Sequence, residues 1–190
     1  MRALALAAVM AALSSVAGRA ETINFSPEYE NSTQDGNPMR YLRFRCGPKK
    51  ILLYPPKSWE IRGTSNAAYF SPQKTQFAEA KFENAPSGMP AAFDEKGLEG
   101  YRQVALSLIP RNAKDVIALN ELPDAVTINN WTAFEKTHEY TADHLKFTHS
   151  ILFLKLDAER EIRIQVTARN EDFAKFHRAV LAILNTWFEE

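Results

Sequence analysis

The last sixty residues constrain the fold of this chain more than any other segment. Over residues 162–168 apolar side chains alternate with polar ones, a period of two that is typical of a half-buried β-strand. Asn170 follows, with Glu171 and Asp172 in a first helical turn, where carboxylates favour the positive end of the helix dipole. A helix that continues to the C-terminus is predicted by apolar residues at helical spacing, namely Phe173, Phe176, Val180, Ile183, Leu184 and Trp187.

Residues 131–153, which precede this strand, predict a β-hairpin with two distinct faces. A two-residue turn at Ala142 and Asp143 would place one set of pairs on an apolar face: Tyr140 with Leu145, His138 with Phe147 and Phe134 with Ile151. The same register gives a polar face with two pairs: Glu139 with Lys146 and Thr137 with Thr148. We expect the apolar face to be buried under the C-terminal helix.

Short strands and one further helix are predicted before the hairpin. Apolar alternation or short apolar runs predict strands over residues 41–46, 51–54, 59–63, 67–70, 75–82, 116–119 and 126–128. Asp94 is suited to cap a helix that ends before Pro110, although Gly97 and Gly100 weaken its first half. These elements predict one α+β domain built on an antiparallel sheet.

The N-terminus predicts export. Residues 1–20 contain a basic residue near the start (Arg2), then an apolar stretch, and small residues before an expected cleavage after Ala20. The apolar stretch is shorter than the roughly 20 residues that cross a bilayer as a helix, so we expect a periplasmic or secreted protein. Residues 21–37 are polar and without periodicity, and they predict a flexible lead-in to a domain over residues 38–190.

The charge balance argues against a nucleic-acid binder, and the cysteine content argues against a domain stabilised by disulfides. Loss of the signal removes Arg2 and Arg19 and leaves 21 basic against 23 acidic residues. A nucleic-acid binder, by contrast, depends on clustered Lys and Arg side chains that neutralise phosphates. Cys46 is the only cysteine, so the chain forms no internal disulfide, and its place in an alternating strand predicts a buried thiol. Three asparagines match the N-glycosylation acceptor pattern: Asn24, Asn31 and Asn130.

One basic cluster is a candidate surface for contact with a partner. It consists of Arg40, Arg43, Arg45, Lys49 and Lys50. Clustered cations of this kind contact phosphates, lipid headgroups or acidic protein surfaces. The alternative is an edge strand whose charges discourage pairing with another chain, which is the simpler interpretation.

Two histidines, His138 and His149, are candidates for catalysis or metal binding. His138 and Glu139 begin like the zinc-protease motif, but Ala142 stands where its second histidine is required. The two imidazoles could share a metal across the hairpin, yet a zinc site needs three or four ligands and no third is evident. The alternative is a pair of partly buried structural histidines.

The run ILLYPPKSWEI at residues 51–61 places a strand, a proline pair and a tryptophan in the order found at the opening of the PsbP-like family. The element order over residues 40–188 is also similar to that family, including a hairpin after Asn129, Asn130 and Trp131. The resemblance implies an α/β/α sandwich with a central antiparallel sheet, the fold shared by the photosystem II extrinsic subunit and a eukaryotic Ran-release factor. It also implies a binding or assembly role, because the family has no shared catalytic residues.

Three functional hypotheses follow. The first is an exported, non-catalytic accessory or binding module of the cell envelope that contacts another envelope protein and needs no cofactor. The second is a carrier with an apolar pocket between sheet and helix, in which aromatic residues such as Trp59, Trp131 and Trp187 would form walls unless they pack in the core. The third is a hydrolase with His138 or His149 as base, which would need a nucleophile or metal nearby.

Overall fold

The computed structural model describes residues 21–34, 36–123, 125 and 131–190. The expected signal peptide and the strand expected over residues 126–128 lie outside this part of the chain. The strands of the described part are β1 (Ile23–Gln34), β2 (Asn37–Cys46), β3 (Lys49–Leu53), β4 (Trp59–Gly63), β5 (Ala67–Pro72), β6 (Glu79–Asn84), β7 (Lys114–Pro123), β8 (Thr132–Ala142), β9 (Leu145–Lys155), β10 (Glu161–Arg169) and β11 (Phe188–Glu189). The helices are α1 (Glu95–Ser107) and α2 (Asn170–Leu184).

The strands form two antiparallel sheets. The large sheet has the order β4-β5-β6-β10-β9-β8-β7, and the small sheet has the order β1-β2-β3-β11. On one face of the large sheet, α1 packs Tyr101 and Ala105 against Phe134 and Phe153. On the other face, α2 and the small sheet share one apolar core with β10. The predicted α+β sandwich around a central antiparallel sheet is confirmed, and the small sheet adds to the side that α2 occupies.

The polar residues 23–34 form strand β1, so the prediction of a flexible lead-in is wrong for them. Ile23 donates its N–H to Asn84 Oδ1 at 2.9 Å and accepts a bond from Asn84 Nδ2 at 2.8 Å. Phe25 donates its N–H to the carbonyl of Ser65 at 3.1 Å and is fully buried. The rest of β1 pairs with β2 and turns its polar side chains outward, which is why the segment has little apolar pattern.

The C-terminal helix ends earlier than predicted. α2 ends at Leu184, and Trp187, which the helical spacing placed on the helix, is buried beyond that end. β11 then pairs with β3, and Lys50 and Glu190 exchange two backbone hydrogen bonds of 2.9 Å. The last residues are therefore part of the small sheet.

Cys46 of β2 lies on the same sheet and is buried, which confirms the buried thiol that was predicted. No helix of the described residues is long and apolar enough to cross a membrane.

Strands β8 and β9 form the predicted hairpin, but its turn lies one residue later than predicted. Asp143 and His144 have φ angles of 49° and 64°, as in a two-residue type I′ turn. Asp and His adopt this left-handed region more readily than alanine, which explains why Ala142 is not a turn residue. The observed pairs are Tyr140 with Phe147, His138 with His149, Phe134 with Phe153, Glu139 with Thr148 and Thr137 with Ser150.

The apolar face of the hairpin is buried by a different helix from the one predicted. Helix α1 covers Phe134, Ile151 and Phe153, whereas α2 lies on the opposite face. The α2 side of the sheet carries Leu152, Leu154, Ile162, Ile164, Val166 and Ala168. Residues 148–154 are buried on both faces, so the apolar run at residues 151–154 cannot indicate which helix covers which face.

Gly97 in the first turn of α1 allows a close approach of the preceding loop. Asp94 caps this helix by accepting the Gly97 N–H at 2.7 Å, as predicted. A Cβ at Gly97 would overlap the carbonyl oxygen of Ala92 and lie 3.1 Å from Pro90. We expect Gly97→Ala to lower the free energy of unfolding, because overpacking costs about 1–3 kcal/mol and outweighs a helix-propensity gain of about 1 kcal/mol. Urea denaturation tests this, with Gly100→Ala as the matched comparison that meets only the Pro90 ring and costs less.

Candidate functional site

The predicted basic cluster lies on the small sheet, where carboxylates balance its charge. Arg43 binds Glu28 and also Glu30, the latter at 3.0 Å, and Arg45 donates two bonds of 3.1 Å to Glu28. These hydrogen bonds, from Arg45 first and then Arg43, lower the pKa of Glu28 to about 2. Strand β2 lies between β1 and β3, so the edge-strand interpretation of the cluster is wrong.

The other three cations of the cluster also have partners within the chain. The Arg40 guanidinium lies 3.7 Å from the centroid of the Tyr29 ring. Lys49 lies 3.9 Å from Glu189, and Lys50 lies between 3.6 and 3.8 Å from two carboxylates of β1 and the C-terminus. The five residues therefore share one surface, but that surface is a mixed-charge network rather than an exposed block of positive charge.

His138 and His149 face each other directly across β8 and β9, whereas the predicted register paired His138 with Phe147. Their exposed fractions are 1% and 2%, and the Gln165 side chain approaches the His149 ring closely enough to interact with it. Burial, followed by the neighbouring His138, lowers the pKa of His149 to about 4. Burial, followed by the charge of Lys136, lowers the pKa of His138. Both imidazoles are therefore neutral at pH 7.

A groove opens above His149 on the α1 face of the large sheet. It has a volume of about 560 Å³, and we call it the histidine groove. The loop between β5 and β6, the segment after α1 and strands β9 and β10 enclose it. Its lining residues are Ser71, Thr75, Phe77, Ala78, Glu79, Lys81, Leu108, Pro110, Tyr140, Phe147, His149, Gln165 and Thr167.

Aromatic rings form one wall of the histidine groove. Phe147 stacks on Tyr140 at 5.6 Å between ring centroids, and Phe77 meets Phe147 edge-on at 6.1 Å. Phe77 is 58% exposed and has a φ of 59°, a left-handed conformation that a bulky residue rarely adopts. This conformation places the apolar ring of Phe77 at the mouth of the groove, where it is exposed to solvent. The sequence predicted a strand over residues 75–82 that includes Phe77, but β6 begins at Glu79 and Phe77 lies in the loop before it.

The histidine pair lacks the partners that metal or hydrolytic chemistry requires. No group of three or more His, Cys, Asp or Glu side chains converges within the described residues, and zinc sites need three or four ligands. Neither imidazole is hydrogen-bonded to a hydroxyl or thiol there, so the structure contains no base-activated nucleophile at the pair.

A second polar cluster, which the sequence did not reveal, lies on the α2 face of the same hairpin. Ser150 donates its hydroxyl to Glu135, and His177 of α2 lies 2.7 Å from the same carboxylate oxygen. A hydrolytic triad places histidine between the serine and the acid, whereas here the carboxylate occupies the middle. The serine therefore has no histidine base, and the cluster, in which Ser150 and Glu135 are buried, anchors α2 to the sheet.

Strand β7 exposes apolar side chains at the edge of the large sheet. Val116, Ile117, Leu119 and Leu122 are between 42% and 53% exposed, and we call this set the β7 edge. Among the described residues β7 has a partner strand on one side only, β8. The sequence predicted a strand over residues 116–119 but contained no signal for this exposure.

An ionic contact fixes the β7 edge to the rest of the domain. Arg102 of α1 donates to Glu121 at 2.6 and 3.0 Å, and Lys136 of β8 reaches the same carboxylate at 3.0 Å. These bonds, from Arg102 first, lower the pKa of Glu121 to about 2. The edge is therefore a preformed surface, with its backbone held by β8 and one side chain held by α1.

Comparison with known proteins shows the fold but no family. No protein-family model matches the sequence, and a search of curated proteins gives no match. LpqN of Mycobacterium tuberculosis, described as involved in cell envelope biogenesis, matches with a TM-score of 0.52 and 11% identity over 86% of this chain and 91% of that chain. A Mog1 mutant matches with a TM-score of 0.50 and 9% identity over 85% and 95% of the two chains. At these identities the likeness shows that this chain shares their α+β fold.

Proposed function

We propose that this chain is an exported, non-catalytic binding module of the cell envelope that acts by contact with another protein. The observation that carries the proposal is the β7 edge, where four large apolar side chains stand beside backbone groups that no other described strand pairs with. Soluble proteins normally protect such an edge with charges, prolines or a covering segment. An edge left apolar is suited to accept a strand or an apolar surface of a partner.

The sequence and the fold support the envelope setting of the proposal. Residues 1–20 have the pattern of a cleavable signal, and the run at residues 51–61 resembles the PsbP-like family, whose members act as binding modules. LpqN, which has the same fold, is described as involved in cell envelope biogenesis. The PsbP-like assignment is part of this proposal.

A photo-crosslinking residue at Leu119 is expected to trap a discrete partner in intact cells. The same crosslinker at Phe188 is the matched control, because Phe188 is 57% exposed but lies on the small sheet. Ile117→Lys should abolish the Leu119 product, since the charge would have to be desolvated in the contact. Its effect on folding should stay within about 0.5 kcal/mol because the site is exposed. Identical products from both crosslinking positions would contradict the proposal.

The basic cluster remains a second proposed contact surface, now as a mixed-charge one. Arg43 and Arg45 are already bonded to carboxylates of β1, so a partner would have to exchange those ion pairs rather than meet free cations. Charge reversal at both residues provides the comparison with Ile117→Lys. Loss of partner binding in the reversed variant alone would move the contact from the β7 edge to the small sheet.

A further inference from the structure

A second groove lies where the small sheet meets β4 of the large sheet. Strands β1, β2 and β4 and the loop between β3 and β4 line it, and six of its residues bear on binding: Tyr29, Arg40, Pro55, Lys57, Trp59 and Ile61. We call it the Arg40 groove. Its volume is about 430 Å³, within the range of about 300–1,000 Å³ that small-molecule sites have. We propose that it binds a small aromatic carboxylate.

The charge of the Arg40 groove points to an anionic ligand. Two cations line it, Arg40 and Lys57, and none of its described lining residues is acidic. Neither cation forms an ion pair with a carboxylate in the part of the chain that the structure describes. Nearby cations of the small sheet differ, because Arg43 and Lys50 are both paired with Glu30. An anion in the groove would therefore meet two positive charges that no described carboxylate already neutralises.

The Arg40 side chain is ordered in a way that suits a carboxylate. Its guanidinium carbon lies 3.7 Å from the centroid of the Tyr29 ring, which is a cation–π contact. A guanidinium carries five N–H donors, and those of Arg40 donate to no other described residue. A carboxylate can accept two parallel hydrogen bonds from such a group. Because the Tyr29 ring already restricts the side chain, less conformational entropy is lost when these bonds form.

The apolar lining favours an aromatic ring beside the carboxylate. Trp59 and Ile61 pack against the main core, and the Trp59 ring lies 5.2 Å from that of Phe176 in α2. The indole is therefore a fixed surface on which a planar ring can pack, with a gain beyond simple burial. Its N–H has no acceptor among the described residues and is a further donor for an anion.

The prolines of the Arg40 groove favour a small molecule over a segment of a partner protein. Three of them line it, Pro38, Pro55 and Pro56. An extended peptide gains affinity through hydrogen bonds between the two main chains. Proline has no N–H to donate, so much of this lining cannot form such a ladder. A compact ligand needs only the side-chain donors and the apolar surface.

Calorimetric titration of the purified protein with 2-naphthoate at low ionic strength tests the proposal. We expect saturable binding at one site per chain, with higher affinity than for 2-naphthamide, which has the same ring system but no charge. Arg40→Gln should weaken 2-naphthoate binding about tenfold, because the charge-assisted hydrogen bonds are lost. Arg111→Gln is the matched control and should bind as the wild type does. Arg111 is also exposed and has no ion pair with a described residue, but it lies outside the groove.

Two further variants separate a specific site from general attraction of an anion to a basic surface. Tyr29→Ala keeps both cations but removes the ring that orders Arg40, so it should weaken 2-naphthoate binding about threefold. Arg40→Lys keeps the charge but loses the paired donors, and should weaken binding about fivefold.

Three outcomes would overturn the proposal: no saturable binding, equal affinity for 2-naphthoate and 2-naphthamide, or equal losses in Arg40→Gln and Arg111→Gln. Strands β4 and β7 are opposite ends of the large sheet, so the crosslinking result at Leu119 is independent of all three.

Discussion

Phe25→Ala is expected to lower the free energy of unfolding by about 3–5 kcal/mol, the usual cost of truncating a buried phenylalanine. Phe25 is fully buried in the core shared by the small sheet, the large sheet and α2. Its ring meets Phe44 edge-on at 5.2 Å, and its N–H donates to Ser65. Removal of the ring would leave a cavity between the two sheets, where backbone hydrogen bonds on both sides limit collapse.

Tyr29→Ala is the control for this prediction because it removes an aromatic ring from the same strand. Tyr29 is 43% exposed and contacts Arg40 on the outer surface, so its loss should cost no more than about 1 kcal/mol. Urea denaturation followed by circular dichroism measures both variants. If Phe25→Ala cost as little as Tyr29→Ala, residues 23–34 would be the flexible lead-in that their composition predicts.

The contrast between β1 and β10 shows what the sequence could predict. In β10, Ile162, Ile164 and Val166 alternate with polar residues, and the strand was predicted nearly to its ends. In β1 only Ile23 and Phe25 are buried hydrophobic residues, and an edge strand with one buried end produces no period of two. Its role depends on Asn84 and Ser65, which are distant in the sequence.

The candidate sites were less predictable than the fold because they depend on register and coverage. His138 and His149 were recognised as candidates, but their direct pairing follows from the left-handed turn at Asp143 and His144. Phe77 was predicted to lie in a strand over residues 75–82, but it lies in the loop before β6, where it is exposed. The sequence likewise contained no sign that the apolar side chains of the β7 edge are exposed, since exposure depends on which neighbours a strand has.

Stability is expected to fall by about 2 kcal/mol between pH 7 and pH 5 through His149 alone. Its pKa is about 4 in the folded state, against an ordinary value of 6.5. The unfolded chain therefore binds more protons than the folded chain between these values, and stability rises with pH across that window. His138, whose pKa is also lowered, adds a loss in the same direction.

Carboxylates do not account for the loss of stability between pH 7 and pH 5. The pKa values of Glu28 and Glu121 are lowered to about 2, so ionisation of these carboxyl groups stabilises the fold at neutral pH. This stabilisation is lost only when pH falls through the acidic range below their ordinary value of 4.5. The groups that approach the imidazole of His149 are His138, Tyr140 and Gln165, and burial raises the pKa of Tyr140, which keeps the phenol neutral. Between pH 7 and pH 5 the slope therefore reports the buried histidines.

Variants of two histidines distinguish a buried pair from ordinary surface titration. His149→Phe should remove most of the change in stability between pH 7 and pH 5, whatever its effect on stability at pH 7. His144→Asn, at an exposed turn position whose positive φ suits asparagine, should leave the pH dependence unchanged. Urea denaturation at half-unit pH steps measures both slopes. A His149→Phe protein with the full wild-type slope would mean that water reaches the pair and that both rings protonate without cost to the fold.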